Sequence, residues 1–466
     1  MKNLLFVFLA VATATRPAFA DDKWDATAHE IYRQLIEIDT THSTGDTTRA
    51  AKAMAARLKA AGFPAKDVRV LGPSAKRGNL VARMRGTGTG GRKPLLLLAH
   101  LDVVEARKED WSVDPFKLTE KDGFFYGRGT RDDKAMAAIW IATLIRLKKE
   151  GWKPDRDLIV ALTADEEGGL ENGVDWLLAN HRPLIDAELC LNEGGGGQSK
   201  GGKYLLNQVQ ATEKVYQSFR LEVKNRGGHS SQPTRENAIY RLSAGLVRLS
   251  AFEFPVKLNE VTRGFFARSA ALETGQVAAD MKAVTRATPD AEAARRLSAT
   301  AYYNAQLRTT CVATTLDGGH ADNALPQTAR AGVNCRLLPG ESMEAVKATL
   351  VKVLADDEIA LSLIEDAPSA PGPASPLAPE VMGPIERITG EMWPGLPVVP
   401  TMSTGATDGR YLRSAGIPTY GVSGLFEDID DNRAHGKDER MGVKQFHEGQ
   451  EFLLRLVKTM AGPVTK

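Results

Sequence analysis

The chain has 466 residues, 42% hydrophobic and 25% charged, an ordinary globular composition with length for two domains that fold without disulfide staples. Lys and Arg total 60 against 58 Asp and Glu, a formal charge of +2. No global field therefore selects nucleic acid or an anionic membrane as a partner.

The first twenty residues, MKNLLFVFLAVATATRPAFA, join an early Lys2 to an apolar run from Leu4 and end in Ala18-Phe19-Ala20 before two aspartates. This reads as a cleaved secretory signal and implies an exported protein, periplasmic or secreted. The apolar run is shorter than the roughly 20 residues that span a bilayer, and residue 21 is Asp, not Cys. Neither a stable membrane anchor nor a lipidated N-terminus is expected. Removing the signal takes Lys2 and Arg16 and no acid, leaving 58 residues of each sign.

Residues 25–38 carry the period of an amphipathic helix, and AAKAMAARLKAAGF gives a second, closed by Gly62 and Pro64. LLLLAH, ending at His100, is a buried strand; AMAAIWIATLIRLKKEG is a long helix closed by Gly151; DLIVALTADEE is a second buried strand and GVDWLLANH a helix. Such alternation predicts an α/β fold with a mainly parallel sheet covered on both faces. Functional groups in these sheets gather beyond the C-terminal strand ends. From about residue 208 the pattern changes to YQSFRLEVKNRGGHSSQP, a helix around AIYRLSAGLVRLSAF, the strand-like CVATTL and RAGVNCRLL, and a helix near EAVKATLVKVLADD. These predict a smaller α+β unit. DAPSAPGPASPLAPE, 366–380, reads as the return linker. The expected plan is a signal over 1–20, one discontinuous domain over 21–207 and 368–466, and an inserted domain over 208–367.

Export permits a disulfide, and three cysteines leave at least one unpaired. Cys311 and Cys335 are symmetric about Asn323, so an antiparallel hairpin would let them face each other; two buried thiols are the alternative. Cys190, in AELCLN, reads as core.

Four segments place acids or a histidine where a hydrophobic strand meets a loop: His100 with Asp102, Asp132 with Asp133, Glu166 with Glu167, and Glu193. His435 adds a fifth near the C-terminus. Taken singly, each is a common structural residue or a solvated loop charge, and the glycines after Glu193 read as a flexible turn. They form no phosphate loop, because no Gly-Lys-Ser/Thr follows. Taken together, carboxylates converging at the rim of a buried sheet would repel one another unless divalent cations compensate them. Two histidines and three carboxylates suit zinc-like metals, and one bridging carboxylate could hold two ions about 3.5 to 4 Å apart.

The ordered series HLDVV, GRGTRDDK, ADEEGG, LNEGG, RGGHSSQP, ADNALP, NCRLLPG, STGATDGRY and AHGKDER resembles the M20 metallopeptidase family over most of the mature chain. The resemblance implies two divalent metal ions, zinc by expectation, with cobalt or manganese fitting the same ligands. It implies that Asp132 bridges them, with His100 and Glu193 on one ion and Glu167 and His435 on the other. The carboxylate of Asp102 would orient the His100 imidazole, and Glu166 would be the general base and acid for amide hydrolysis by metal-activated water. The smaller unit resembles the family's lid and dimerisation domain. There His229 would reach a neighbouring subunit's site in a homodimer, while Asn323 and Arg336 would hold a substrate carboxylate. Gly405 lies in the loop that approaches the substrate backbone. Ala135 and Ala406 stand where many relatives have Gly, and the second leaves the shape of the pocket open.

The leading expectation is an exported di-zinc hydrolase of a dipeptide or C-terminal peptide bond, since export fits nutrient scavenging better than biosynthesis. The runner-up is an aminoacylase acting on N-acyl amino acids; either substrate carries a free carboxylate. A non-catalytic binding or dimerisation module is the reading from a different class, and intact ligand positions count against it.

Overall fold

In the computed structural model, residues 22–169, 171–364 and 372–463 are described. The proposed signal and the first part of the return linker lie outside them. Among the described residues, a ten-stranded sheet runs in the order Val68–Leu71, Asn79–Met84, Leu158–Thr163, Leu95–His100, Leu189–Asn192, Thr419–Gly421, Lys203–Glu213, Gly197–Lys200 and Phe426–Asp428. The strand Val398–Ser403 also pairs with Lys203–Glu213. The middle of the sheet is parallel, Leu95–His100 lying between Leu158–Thr163 and Leu189–Asn192. The pairings of Asn79–Met84 with its two neighbours are antiparallel, so the whole sheet is mixed.

The apolar run ending at His100 is explained by two-sided burial. Leu95, Leu97 and Ala99 enter one core with the helices Asp22–Ile36, Thr47–Ala60, Lys134–Lys149, Pro379–Met392 and Val443–Ala461. Leu96 and Leu98 enter another, beneath Gly173–Ile185 and Gly409–Ser414. Alternate residues of a strand face opposite sides, and here both sides are dry.

A second sheet, Thr310–Gly318, Thr328–Leu337, Val215–Lys224 and Ala360–Leu363 in that order, is antiparallel. The helices Ala238–Ser250 and Met343–Leu354 share its core. Cys311 and Cys335 are directly paired in register and joined as a disulfide, while Cys190 is a buried free thiol.

Two features differ from the expected division. The strand Lys203–Glu213 belongs to the large sheet, so the chain changes sheet at Lys214 rather than at 208. Within the expected insertion, the helices Glu260–Ser269, Gly275–Val284, Ala291–Leu297 and Ala301–Leu307 share a core with Val399 and Leu206 of the large sheet. Their apolar faces find no room on the small sheet, whose core is closed by its own two helices. No helix among the described residues is long and apolar enough to cross a membrane.

Candidate metal centre

Parallel register sets the site. His100 pairs with Thr163 at the ends of adjacent strands, and the strand Leu189–Asn192 stops one residue before Glu193. Asp132 immediately precedes Asp133, the N-cap of the helix Lys134–Lys149, and the Asp132–Asp133 peptide is cis. His435 takes a left-handed backbone, φ +63°, in the loop before Arg440–Gly442.

These segments bring the expected ligands together. His100 Nε2 lies 2.9 Å from Asp132 Oδ1, and His435 Nε2 lies 3.3 Å from Asp132 Oδ2 and 2.9 Å from Glu167 Oε2. Each oxygen of Asp132 thus faces a different imidazole, the arrangement of a carboxylate between two cation sites. Donor atoms of His100, Asp132 and Glu167 lie within 4.8 Å of one another, as do those of His100, Glu166 and Glu193. Glu166 therefore stands within reach of the ligands, where a base serving a held water must be.

Asp102 orients His100 by a different atom from the one expected. Its carbonyl is 2.9 Å from Nδ1, whereas its carboxylate is 3.7 Å away, too far for a hydrogen bond. A carbonyl only accepts, so Nδ1 carries the proton and Nε2 points into the site. The carboxylate instead accepts the Glu167 N–H at 3.0 Å, tying the second acidic loop to the first.

The electrostatics call for cations. Desolvation, reinforced by Glu193, holds Glu166 well above the usual carboxylate range, and desolvation with Asp132 does the same to Glu193. His435 is raised to about 10 by hydrogen bonds to Asp132 and Glu167. His100 is raised against its desolvation by Asp132 and Asp102. Asp132 is lowered against its own desolvation by the two histidines. Crowded acids that pull protons onto their histidines will equally take divalent ions, and Asp102 Oδ1 and Asp133 Oδ2 remain buried without a hydrogen-bond partner. Imidazole and carboxylate donors in this number fit two ions of the zinc class.

A cavity of about 340 Å³ adjoins the carboxylates, with Glu166, Glu167, Tyr216, Ala406, Asp408 and Arg410 among its walls. The Arg336 guanidinium lies 5.3 Å from the ring centre of Tyr216, one of the wall residues, and is not itself part of the cavity wall. Gly405 is exposed and adjoins Ala406. His229 and Asn323 come together on the small ribbon Gly228–His229 with Ala324–Leu325, where the Ser230 N–H donates to the Asn323 carbonyl at 3.0 Å. Both are exposed. Among the described residues no hydrogen bond or ion pair joins them to the acidic cluster.

Sequence reasoning missed Glu439. Its fully buried carboxylate accepts the N–H groups of Gly129, Arg131 and Asp132 at 3.1, 2.6 and 3.1 Å and pairs with Arg128 at 2.6 Å. It thereby holds the loop presenting Asp132; its only signal was an acid inside AHGKDER. The glycines after Glu193 form a packed passage rather than a flexible turn. Gly194 has φ +99°, and a Cβ on Gly195 would lie 2.1 Å from the Gly421 carbonyl oxygen.

Residues 96–459 match the family model described as peptidase family M20/M25/M40. The chain is 30% identical over 376 residues to an N-fatty-acyl-amino acid synthase/hydrolase of Xenopus tropicalis, covering 78% of this chain and 72% of that one. It is 29% identical over 384 residues to a probable carboxypeptidase S-like protein of Dictyostelium discoideum, covering 78% and 71%. Its fold is similar to that of an M20 family metallo-carboxypeptidase of Sulfolobus solfataricus, with a TM-score of 0.65 and 16% identity over 95% of this chain and 100% of that one. With the candidate ligands gathered beyond the ends of adjacent strands, the chain belongs to the M20/M25/M40 peptidase family and is a metal-dependent amidohydrolase.

Proposed function

We propose that the protein is an exported hydrolase of N-acyl amino acids, splitting the amide bond and releasing an amino acid with a free carboxylate. The commitment of every acid lining the cavity carries this reading. Asp165 pairs with Arg77 at 3.0 Å, Glu167 meets His435, Asp408 accepts from Thr163 and Asn172, and Glu166 is kept for proton transfer. Among the described residues no cavity carboxylate is left for the free ammonium of a dipeptide, whereas an acyl group needs none. The likeness to an N-fatty-acyl-amino acid synthase/hydrolase points the same way. A C-terminal peptidase is the second reading, favoured by the likeness to a probable carboxypeptidase S-like protein.

His100 and Glu193 would hold one metal and Glu167 and His435 the other, with Asp132 shared. When bound, the ions supply Lewis acidity that polarises the amide carbonyl and makes water nucleophilic at neutral pH. Glu166 takes the proton of the attacking water and passes it to the departing nitrogen. Arg336 and Gly405 hold the substrate's carboxylate end together with Asn323 of a neighbouring subunit, whose His229 stabilises the developing oxyanion. The homodimer this requires is supported by exposed Tyr240 and Val247 on one helix and Val312 and Leu316 on the edge strand. Export is supported by the N-terminal sequence and by the Cys311–Cys335 disulfide.

The test is elemental analysis of the purified protein together with hydrolysis of N-acyl amino acids of short and long acyl chain and of dipeptides, before and after chelation. Two zinc-class ions per chain, chelator-sensitive cleavage and at least tenfold higher kcat/KM on acylated substrates are expected. Faster cleavage of free-amino dipeptides would replace this reading by the second.

A further inference from the structure

The loop between the strand Leu158–Thr163 and the helix Gly173–Ile185 carries both Glu166 and Glu167. Both of its ends are tied to one carboxylate more than two hundred residues away. Asp408 Oδ2 accepts from Thr163 Oγ1 at 2.9 Å, and Asp408 Oδ1 accepts from Asn172 Nδ2 at 2.6 Å. Thr163 is the register partner of the metal-ligand candidate His100. Asn172 also donates to the Asp165 carbonyl at 3.2 Å, while its own oxygen caps the following helix. Asp165 sits in a left-handed backbone, φ +57°, a conformation that persists only where its surroundings over-determine it.

Asp408 is buried, at 2% exposure, and among the described residues no Lys or Arg forms an ion pair with it. Burying a carboxylate is unfavourable unless its hydrogen bonds are made, and this one spends none on its own helix: Asp408 is the N-cap of Gly409–Ser414, but its side chain caps nothing. On its own side it is held by its neighbour. The Thr407 N–H and Oγ1 both donate to Glu213 Oε2, at 2.9 and 2.8 Å, and Glu213 pairs with Arg413 at 2.6 Å. Ala406, Thr407 and Asp408 all line the catalytic cavity.

We propose that Asp408 is a positioning residue for the catalytic loop: through Thr163 and Asn172 it fixes Glu166 relative to His100 and to the Ala406–Thr407 wall that meets the substrate. The proposal rests on Glu166 being the general base. Asp408 acts through the loop and exchanges no proton with substrate.

The test is a donor–acceptor exchange in the metal-loaded enzyme. N172D sets two carboxylates face to face, and misplacement of the base lowers kcat by about 10- to 100-fold, with KM within about twofold and metal content unchanged. D408N alone is milder, because its amide can turn Oδ1 toward Asn172 and Nδ2 toward the Thr163 hydroxyl, which also accepts. D408N combined with N172D restores one donor facing one acceptor and recovers most of the kcat lost in N172D, which loss of packing alone would not allow. If N172D does not fold, T163V removes one of the two bonds and gives a smaller fall in kcat at constant KM. A double variant no better than N172D, a rise in KM alone, or loss of metal overturns the proposal. E166Q, assayed beside them, separates the two readings: if it keeps activity, the assignment of the base has failed; if it is inactive while the exchange fails to rescue, the positioning role has failed.

Discussion

Both side-chain oxygens of Asp132 are free to face His100 and His435 because the carboxylate of Glu439 accepts the N–H of its backbone instead. The clustering of His100, Asp132, Glu167, Glu193 and His435 was legible because each stands at a strand end or in a short run rich in charge, and the place of Glu166 because it neighbours Glu167. Glu439 and the carbonyl of Asp102 were not, since groups that bind backbone or act through backbone leave no spacing in a sequence. Glu166 makes the sharpest prediction at this scale. E166Q keeps the shape of the side chain and loses its proton affinity, so it should retain both metals while kcat falls by about 10²- to 10⁴-fold. Paired kinetics and elemental analysis check this, and wild-type turnover in E166Q would remove Glu166 from the role of base.

The strands and helices around the site were legible because their apolar periods run long enough to show which side is buried. Those of Lys134–Lys149 and Leu158–Thr163 are nearly continuous. The helices between Glu260 and Leu307 have seven to ten residues each. So short a run gives about two turns of pattern, and its packing partner, the strand Val398–Ser403, lies about a hundred residues on. The change of sheet at Lys214 was also hidden, because two consecutive strands read as one alternating run. That lysine is fully buried, and its ammonium donates to the Arg308 carbonyl at 2.6 Å. Desolvation, with the neighbouring charge of Arg336, pulls it down to about 7, against about 10.4 in an unfolded chain. Between those values the unfolded state binds the extra proton, so stability rises with pH from about 7 upward, and the full penalty of burying the charge is present below 7. Relative to K214M, the wild type should gain on the order of 1–2 kcal/mol between pH 7 and 8.5, seen as a steeper rise of Tm with pH. Parallel Tm profiles for the two proteins would show that Lys214 is not the titrating group.

At the scale of the whole molecule, His229 and Asn323 stand exposed on the small ribbon with no link to the acidic cluster, although the family resemblance gives both a part in catalysis. The proposed dimer resolves this by letting each chain complete its neighbour's site. The apolar side chains of Tyr240, Val247, Val312 and Leu316 are between 60% and 68% exposed on the small unit, and among the described residues Thr310–Gly318 is a sheet edge with an unpaired side, a surface a soluble protein normally covers. Light scattering should therefore report a dimer, and L316E with V247E a monomer that holds its metals but turns over poorly. H229A should likewise keep metal and lose turnover. The decisive measurement mixes H229A and E166Q chains after dissociation and reassociation. Each homodimer is defective at both sites, but a mixed dimer has one site that combines Glu166 of one chain with His229 of the other. With random pairing half the dimers are mixed and each carries one complete site, so about a quarter of wild-type activity should return. If no activity returns although the mixed dimers form, His229 serves the site of its own chain, and the dimer is not part of the catalytic unit.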